Sequence, residues 1–389
     1  MANNKIKYYP VGNGDTSLIT LKDNSTFLID CNIRECEKDS NDNNIYNVKE
    51  DLLKSIQKRN NNPFIDLFVL SHPDQDHCRG FKKHFYRGDP RNYSDTNRKN
   101  EEIIIDDLWV SSLLFTHDQS DDAGAVRNEV IRREKLSGPE REIRGNRLRL
   151  IGYDDDQRFL NVITHTPGNE VNQFNGKTYN YFSFFIHAPF KKDLITCKAE
   201  GNNNSASIVL QARFKDNDYD PDHSTYAIFG GDADHYIWDK IISISEGNNN
   251  SKYLKWDLFL APHHCSWTYF NDVPYENEGN KSPKDYSIKL LNRYREIKGK
   301  IVASCKKVLN EKPNPPHFAA KVKYVSTLDS SDDFFELAIL PKESAPEPIE
   351  FIITNNGVTK STEKAKVAIT SGGAGGAAST VVKNGKYVI

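Results

Sequence analysis

The chain has 389 residues, with 52 Lys and Arg against 54 Asp and Glu and a formal net charge of −2. Apolar residues make up 37% and charged residues 27%, which excludes a chain disordered throughout, and the near-neutral balance excludes a globally basic nucleic-acid binder while leaving a local basic groove open. The length exceeds that of a usual single domain, so one large layered domain with insertions, or a main domain with a small appendage, is expected.

The N-terminus is polar, and no segment approaches the roughly 18 consecutive apolar residues that span a bilayer, so a cytoplasmic protein without membrane insertion is expected. Six cysteines, Cys31, Cys36, Cys78, Cys197, Cys265 and Cys305, are scattered without a CxxC pair and read as reduced thiols.

In chain order, a β-meander opens the sequence: Ile6 to Val11, Ser17 to Leu21, and Thr26 to Ile29 ending on Asp30. Asn47 to Arg59 has helical spacing of Val48, Leu52, Leu53 and Ile56, and leads into the apolar run Ile65 to Leu70, which reads as a buried strand. Directly after that strand stands His72-Pro-Asp-Gln-Asp-His77.

From about 80 to 198 the signals weaken, but the stretch is too long for a bare loop and must carry elements of its own. Ile103 to Ile105, Leu148 to Ile151 and Tyr181 to Ile186 are candidate strands. Between the first two, Ala125 to Arg149 is rich in arginine with interspersed glutamates, either a solvated helix and loop or a phosphate-facing surface through Arg141, Arg144 and Arg147.

Further on, strands end repeatedly on polar groups: Ser207 to Leu210 after Asn204, Tyr226 to Phe229 before Gly230-Gly231-Asp232, and Asp257 to Leu260 before Pro262-His263-His264. Helices are expected over His235 to Ile242 and Ser287 to Arg295, with a strand at Ile301 to Ser304. Two similar halves of strands and helices suggest an α+β protein built as a four-layer αββα sandwich. The tail from 341 onward is set apart by composition, with prolines, a strand at Glu350 to Thr354 and a glycine run from Ser371 to Ser379 that lacks the lysine and strand of a phosphate loop.

His72, Asp74, Asp76 and His77 place four metal-competent side chains within six residues after an apolar strand. Imidazole with carboxylate suits zinc, or manganese where oxygen ligands dominate. A glycine pair before Asp232 permits close backbone approach to a bound ion. Cys265, beside His264, is a further though weaker ligand candidate.

With Asp232 after a strand and a late His263-His264 pair, this set resembles the metallo-β-lactamase superfamily. With Val11-Gly-Asn-Gly-Asp15, Leu28-Ile-Asp30, Ser71 to His77, and Asn204 before Ser207, it is similar to the soluble hydrolase domain of ComEC-type DNA-uptake proteins, by scattered motifs over about residues 5 to 320. The resemblance implies a hydrolase domain over 1–340, with a long central insertion at about 85–180, and a C-terminal extension over 341–389.

It also implies two divalent ions, zinc or manganese. His72 and Asp74 would bind the first, with Asn204 where a third histidine is usual, and Asp76 and His77 the second. Asp232 would bridge them, and one of His263 and His264, preferably His264, would complete the second site. Asp15 and Asp30 would orient the ligand histidines, and His317 would bind phosphate or protonate the leaving group.

Asp74 and Asn204 depart from the commoner histidines and would weaken zinc preference at the first site. The expected activity is phosphodiester or nucleic-acid hydrolysis through a metal-activated hydroxide, with Asp76, Asp232 and His317 as the catalytic set. A hydrolase of small molecules (a cyclic nucleotide, a phosphorylcholine ester or a lactone), or a binding module without turnover, are the alternatives.

Overall fold

The computed structural model describes residues 3–361, apart from 35–37, 39–44, 116–119, 154–158, 160, 201–202, 216–221, 272–281, 311–313 and 355–356. Two mixed sheets of ten and seven strands dominate it. The first runs in the order Gly357–Lys360, Ile349–Thr354, Asn4–Tyr8, Ser17–Thr20, Thr26–Ile29, Asn62–Val69, Ile104–Val110, Arg147–Ile151, Ile163–His165, with Gln57–Arg59 attached to Asn62–Val69. Pairing is antiparallel as far as Thr26–Ile29 and parallel along that path from there on. The second sheet runs Glu170–Val171, Phe182–Ala188, Val209–Phe214, Thr225–Phe229, Trp256–Leu260, Arg295–Ala303, Phe334–Glu336, and likewise changes from antiparallel to parallel, after Thr225–Phe229.

Three apolar clusters show how these sheets are stacked. Ile6, Phe27, Leu67 and Trp109 of the first sheet pack with Phe182, Phe184, Leu210, Phe229 and Leu258 of the second in one buried core. The opposite face of the first sheet, through Leu28, Phe68 and Leu108, is covered by Leu52 of the helix Val48–Ser55 and by Val126 and Val130 of Asp121–Glu134. The outer face of the second sheet, through Ile228, Phe259 and Ile301, is covered by Trp238 and Ile241 of His235–Gly247, Leu290 of Asp285–Arg293 and Tyr324 of Phe318–Ser326. The protein is therefore α+β, with helices on the outer faces of two sheets that share one core.

The stretch 85–180, expected as an insertion, supplies Ile104–Val110, Arg147–Ile151 and Ile163–His165 to the first sheet. In the tail, the strand expected at Glu350 to Thr354 is found at Ile349–Thr354, pairs with Asn4–Tyr8 and buries Phe351 in the shared core. The glycine run lies outside the described residues.

The helix expected over Asn47 to Arg59 stops at Ser55, because Gln57–Arg59 turns back through Asn60 and Asn61 to pair with Asn62–Val69. Both turn residues have positive φ, 51° and 64°, as a two-residue hairpin turn of matching twist requires. Among the described residues no helix is long and apolar enough to cross a membrane.

Candidate metal centre

Every strand of the two sheets that precedes one of the motif residues delivers it from its C-terminal end, the edge where open parallel sheets ordinarily bind ligands. Asn62–Val69 leads to His72, Thr26–Ile29 to Asp30, Thr225–Phe229 to Asp232, and Trp256–Leu260 to His263 and His264. Four chain segments so distant in sequence meet because both sheets present the same edge.

Asp232, 3% exposed, stands at the centre. Its Oδ2 is 3.6 Å from His72 Nε2 and 3.7 Å from His263 Nε2, and its Oδ1 is 3.1 Å from His77 Nε2 and 3.5 Å from His264 Nε2. Asp74 adds an oxygen 3.6 Å from His72 Nε2, and Asp76 one 3.3 Å from His264 Nε2. The side chains thus fall into two halves on either side of one carboxylate: His72, Asp74 and His263 face Oδ2, while Asp76, His77 and His264 face Oδ1.

Sequence reasoning treated His263 and His264 as competitors for one position, whereas the structure sends them to different halves. Consecutive residues manage this because His263, His264 and Cys265 all adopt left-handed backbone, with φ of 49°, 52° and 64°. Such conformations cost non-glycine residues of order 1–3 kcal/mol each and persist where the surroundings enforce them. Here His263 N–H donates to Gly231 O at 3.0 Å, fastening the turn to the loop that carries Asp232. Gly231 itself has φ 50°, and a Cβ there would lie 3.1 Å from the Ser71 side chain.

Hydrogen bonds on the far side of each ring set the direction of its lone pair. Asp30 is buried beneath the motif and accepts from Ser71 N at 2.7 Å, from Ser71 Oγ at 2.6 Å and from His77 Nδ1 at 2.8 Å. With its proton committed to Asp30, Ser71 Oγ accepts from His72 Nδ1 at 3.0 Å. His263 Nδ1 meets Thr268 Oγ1 at 3.0 Å.

His264 Nδ1 lies between two acceptors, Ser304 O at 3.1 Å and Asp15 Oδ1 at 3.6 Å, and one donor, Gly14 N at 3.1 Å; the two acceptors favour a proton on Nδ1. Each of these rings then turns the lone pair of Nε2 toward Asp232. Facing carboxylates at these distances, each Nε2 either carries a proton of its own or shares a bound cation with them. His72 Nε2 and Asp232 Oδ1 are correspondingly buried without a hydrogen-bond partner among the described residues, and His77 Nε2 and His264 Nε2 face each other at 3.3 Å.

The electrostatics agree. Burial works against charge on His77 and His264 and is the largest single influence, but the carboxylates together outweigh it: Asp232 with Asp30 raises His77 well above its ordinary range, and Asp232 with Asp15 and Asp76 pushes His264 up to about 10. Desolvation would raise Asp232, yet the imidazoles of His264, His77 and His72 hold it well below the carboxylate range, and Asp76 is lowered through His264 and His77. His263, with burial as the main influence, is lowered. The donor set fits a divalent ion: the ligand atoms of His72, His77 and Asp232 lie within 4.8 Å of one another, as do those of Asp15, His77 and His264, so His77 is common to both groups and the first of them joins the two halves.

Of the remaining expected residues, Asn204 opens a short turn, Asn204–Ala206, and it is Asn203 whose amide reaches Asp74, at 2.6 Å. His317 is buried, caps Phe318–Ser326, and its N–H donates to Cys265 O at 3.0 Å, so it flanks the histidine turn. Cys265 is a buried free thiol, as are Cys31, Cys78, Cys197 and Cys305.

Arg141, Arg144 and Arg147 are not brought to the centre. Arg147 pairs across with Asp107, itself opposite Leu67, five residues before His72 and so roughly 16 Å down the strands at about 3.3 Å per residue. Arg147 donates to Asn175 Oδ1 at 2.6 Å, Arg141 to the carbonyls of Leu136 and Asn161, and Arg144 precedes both strand and turn on the same distant side.

Ser71, Gly14, Ser304 and Thr268 are the partners that sequence reasoning missed. Gly14 is required: its φ is 137°, and a Cβ there would lie 2.0 Å from Asn32 Nδ2 and 2.6 Å from Asp76 O. The pattern Gly12-Asn-Gly-Asp15 was the available signal. No protein-family model matches the chain, and no curated protein is detectably similar to it.

Proposed function

We propose that the protein is a metal-dependent hydrolase of the metallo-β-lactamase fold that cleaves phosphodiesters. The observation that carries this reading is the pair of half-sites around Asp232, in which imidazole lone pairs and carboxylates converge in a buried edge common to two sheets. His72, Asp74, His263 and Asp232 would hold one divalent ion, and Asp76, His77, His264 and Asp232 the other. Such ions lower the pKa of a coordinated water toward neutrality and offset charge developing on phosphoryl oxygens.

The chain's own residues do the rest. Asp30 and Ser71 fix the orientation of His72 and His77, Ser304 and Asp15 that of His264, and Thr268 that of His263. Side chains with exposed fractions of 38% and 32%, Asp74 and Asp76, mark where the centre opens to solvent and a substrate enters. His317, beside the histidine turn, is the candidate to receive or supply a proton at the departing oxygen.

A second reading, a hydrolase of small esters, is favoured by one observation: Arg141 and Arg147 direct guanidinium donors to carbonyls and an amide of the fold, away from the centre. Metal analysis of the purified full chain, followed by assay against bis(p-nitrophenyl) phosphate and against DNA and RNA, tests both. Bound metal with diester turnover is expected. Absence of metal uptake from zinc or manganese would defeat the proposal.

A further inference from the structure

The two histidines of the left-handed turn are held differently on their far sides. His264 Nδ1 lies against main-chain atoms, Ser304 O and Gly14 N, with the Asp15 carboxylate 3.6 Å away. His263 Nδ1 meets a hydroxyl, Thr268 Oγ1, and that hydroxyl is the first member of a row. Thr268 Oγ1 lies 2.9 Å from Ser266 Oγ, and Ser266 Oγ lies 2.7 Å from Asn314 Oδ1. Each hydroxyl both gives and takes hydrogen bonds, so the direction of the row is set only where one end is fixed.

Asn314 fixes it. The Trp267 N–H, which can only donate, points at the same side-chain oxygen at 3.0 Å, so the amide turns Oδ1 and not Nδ2 to this place. An amide oxygen only accepts, and Ser266 therefore gives its one proton to Asn314. Ser266 is closed to solvent, so bulk water does not compete for that proton. Its oxygen is left to accept from Thr268 N at 3.1 Å and from the Thr268 hydroxyl. Thr268 has then committed its own proton, and a neutral His263 must carry its hydrogen on Nδ1. The lone pair falls on Nε2, 3.7 Å from Asp232 Oδ2.

His263 needs such a device more than the other rings do. Its side chain is 20% exposed, against 0–1% for His72, His77 and His264, so packing alone confines it least. We propose that Asn314 and Ser266 are positioning residues for the half of the centre formed by His72, Asp74 and His263, holding the His263 ring through Thr268 in the tautomer that leaves Nε2 to bind an ion. The inference rests on the proposed metal centre for the use of that lone pair and deepens it, by making this half depend on a segment distant in sequence. The same segment, Asn314-Pro315-Pro316-His317, is held at Pro315 O by Asn13 Nδ2 at 3.0 Å and carries the candidate proton donor, so one piece of chain sets both the ligand turn and His317.

Proton–nitrogen NMR correlation of the imidazole rings in the metal-free full chain reads the tautomer, with the His263 signals identified by their loss in His263→Ala. At about pH 8, where an ordinary imidazole is neutral, the Nδ1–H form is expected in the unaltered chain. It is also expected in Asn314→Asp, whose carboxylate accepts from the same two donors. Asn314→Leu and Ser266→Ala should each give a mixture that includes the Nε2–H form, because the row has lost its fixed end. Competition with a chelating dye then reads the two metal-binding steps. Asn314→Leu should weaken one step about 10–100-fold and leave the other unchanged, while Asn314→Asp binds at least as tightly as the unaltered chain. In the His263→Ala background Asn314→Leu should have no further effect, which separates action through His263 from a general loosening of the fold.

An Nε2–H ring in the unaltered chain, or the Nδ1–H form retained in both Asn314→Leu and Ser266→Ala, would overturn the assignment. So would equal weakening of both metal-binding steps. Absence of metal uptake by the unaltered chain would defeat the hydrolase reading, on which the tautomer measurement does not depend, so the two fail separately.

Discussion

Asp30 Oδ2 lies 2.8 Å from His77 Nδ1, and both residues are closed to solvent. The same carboxylate also takes the Ser71 N–H and hydroxyl, so one buried acid orients His77 directly and His72 through Ser71. Asp30→Asn would put an amide N–H against one of these donors and release the ring. Metal affinity measured by competition with a chelating dye is expected to fall about 10–100-fold, the usual effect of losing an orienting partner behind a ligand histidine. Unaltered affinity would show that the tautomer of His77 is set by something else.

Asp232 presents one oxygen to each half of the centre. Asp232→Asn should therefore reduce metal content from about two equivalents to well below one, since the shared charge leaves both sites at once. Loss of a single equivalent would mean that the carboxylate serves one half only. Circular dichroism of the variant separates this from unfolding.

The division of the histidine pair gives different consequences to neighbouring substitutions. His263→Ala should empty the half containing His72 and Asp74, and His264→Ala the half containing His77 and Asp76, each leaving about one equivalent of metal. In the proposed two-metal reading Asp74 would offer an oxygen to the first half, so Asp74→His should shift that half from manganese toward zinc in a competition between the two ions. An identical metal profile would place Asp74 outside the coordination sphere.

The convergence of these side chains was legible in the sequence because they sit at strand ends, and strand ends are marked by an apolar run meeting a polar residue. His72 after Val69, Asp232 after Phe229 and His264 after Leu260 are of that kind. The separate destinations of His263 and His264 were not legible, since they depend on three successive left-handed residues that no propensity favours. Ser304 and Ser71 were missed because a serine carries no chemical signal until its neighbours are known.

The arginine-rich stretch misled for the opposite reason. Seven arginines are a strong signal in composition, but composition does not reveal that Arg133 is buried against Glu129 and the carbonyls of Ile105 and Arg147. The sequence did carry a sign that the helical pattern would end, Asn60-Asn61-Asn62 before Pro63, since Asn readily takes the positive φ that this hairpin turn uses.

Asp257, 4% exposed, lies far from the centre at the start of Trp256–Leu260, where its Oδ2 accepts from Tyr226 N at 2.8 Å. Burial pushes its carboxyl up to about 7, with Glu296 adding to the rise and the Tyr226 hydrogen bond and Lys255 opposing it. The folded chain holds this proton more tightly than the unfolded chain, whose carboxyl ionises near its ordinary value of about 3.9. The stabilisation is therefore fully present below that value and is lost as pH rises through about 7.

Asn at this position is neutral throughout and keeps an oxygen for the Tyr226 N–H. Asp257→Asn should consequently raise the unfolding free energy at pH 8 by up to about 4 kcal/mol, with little gain at pH 4, as three pKa units at about 1.4 kcal/mol each imply. Urea denaturation of both proteins across this range checks it, and the difference between them removes the contribution of the histidines at the metal centre. Parallel stability curves would mean that Asp257 ionises in the folded chain as it does in the unfolded one.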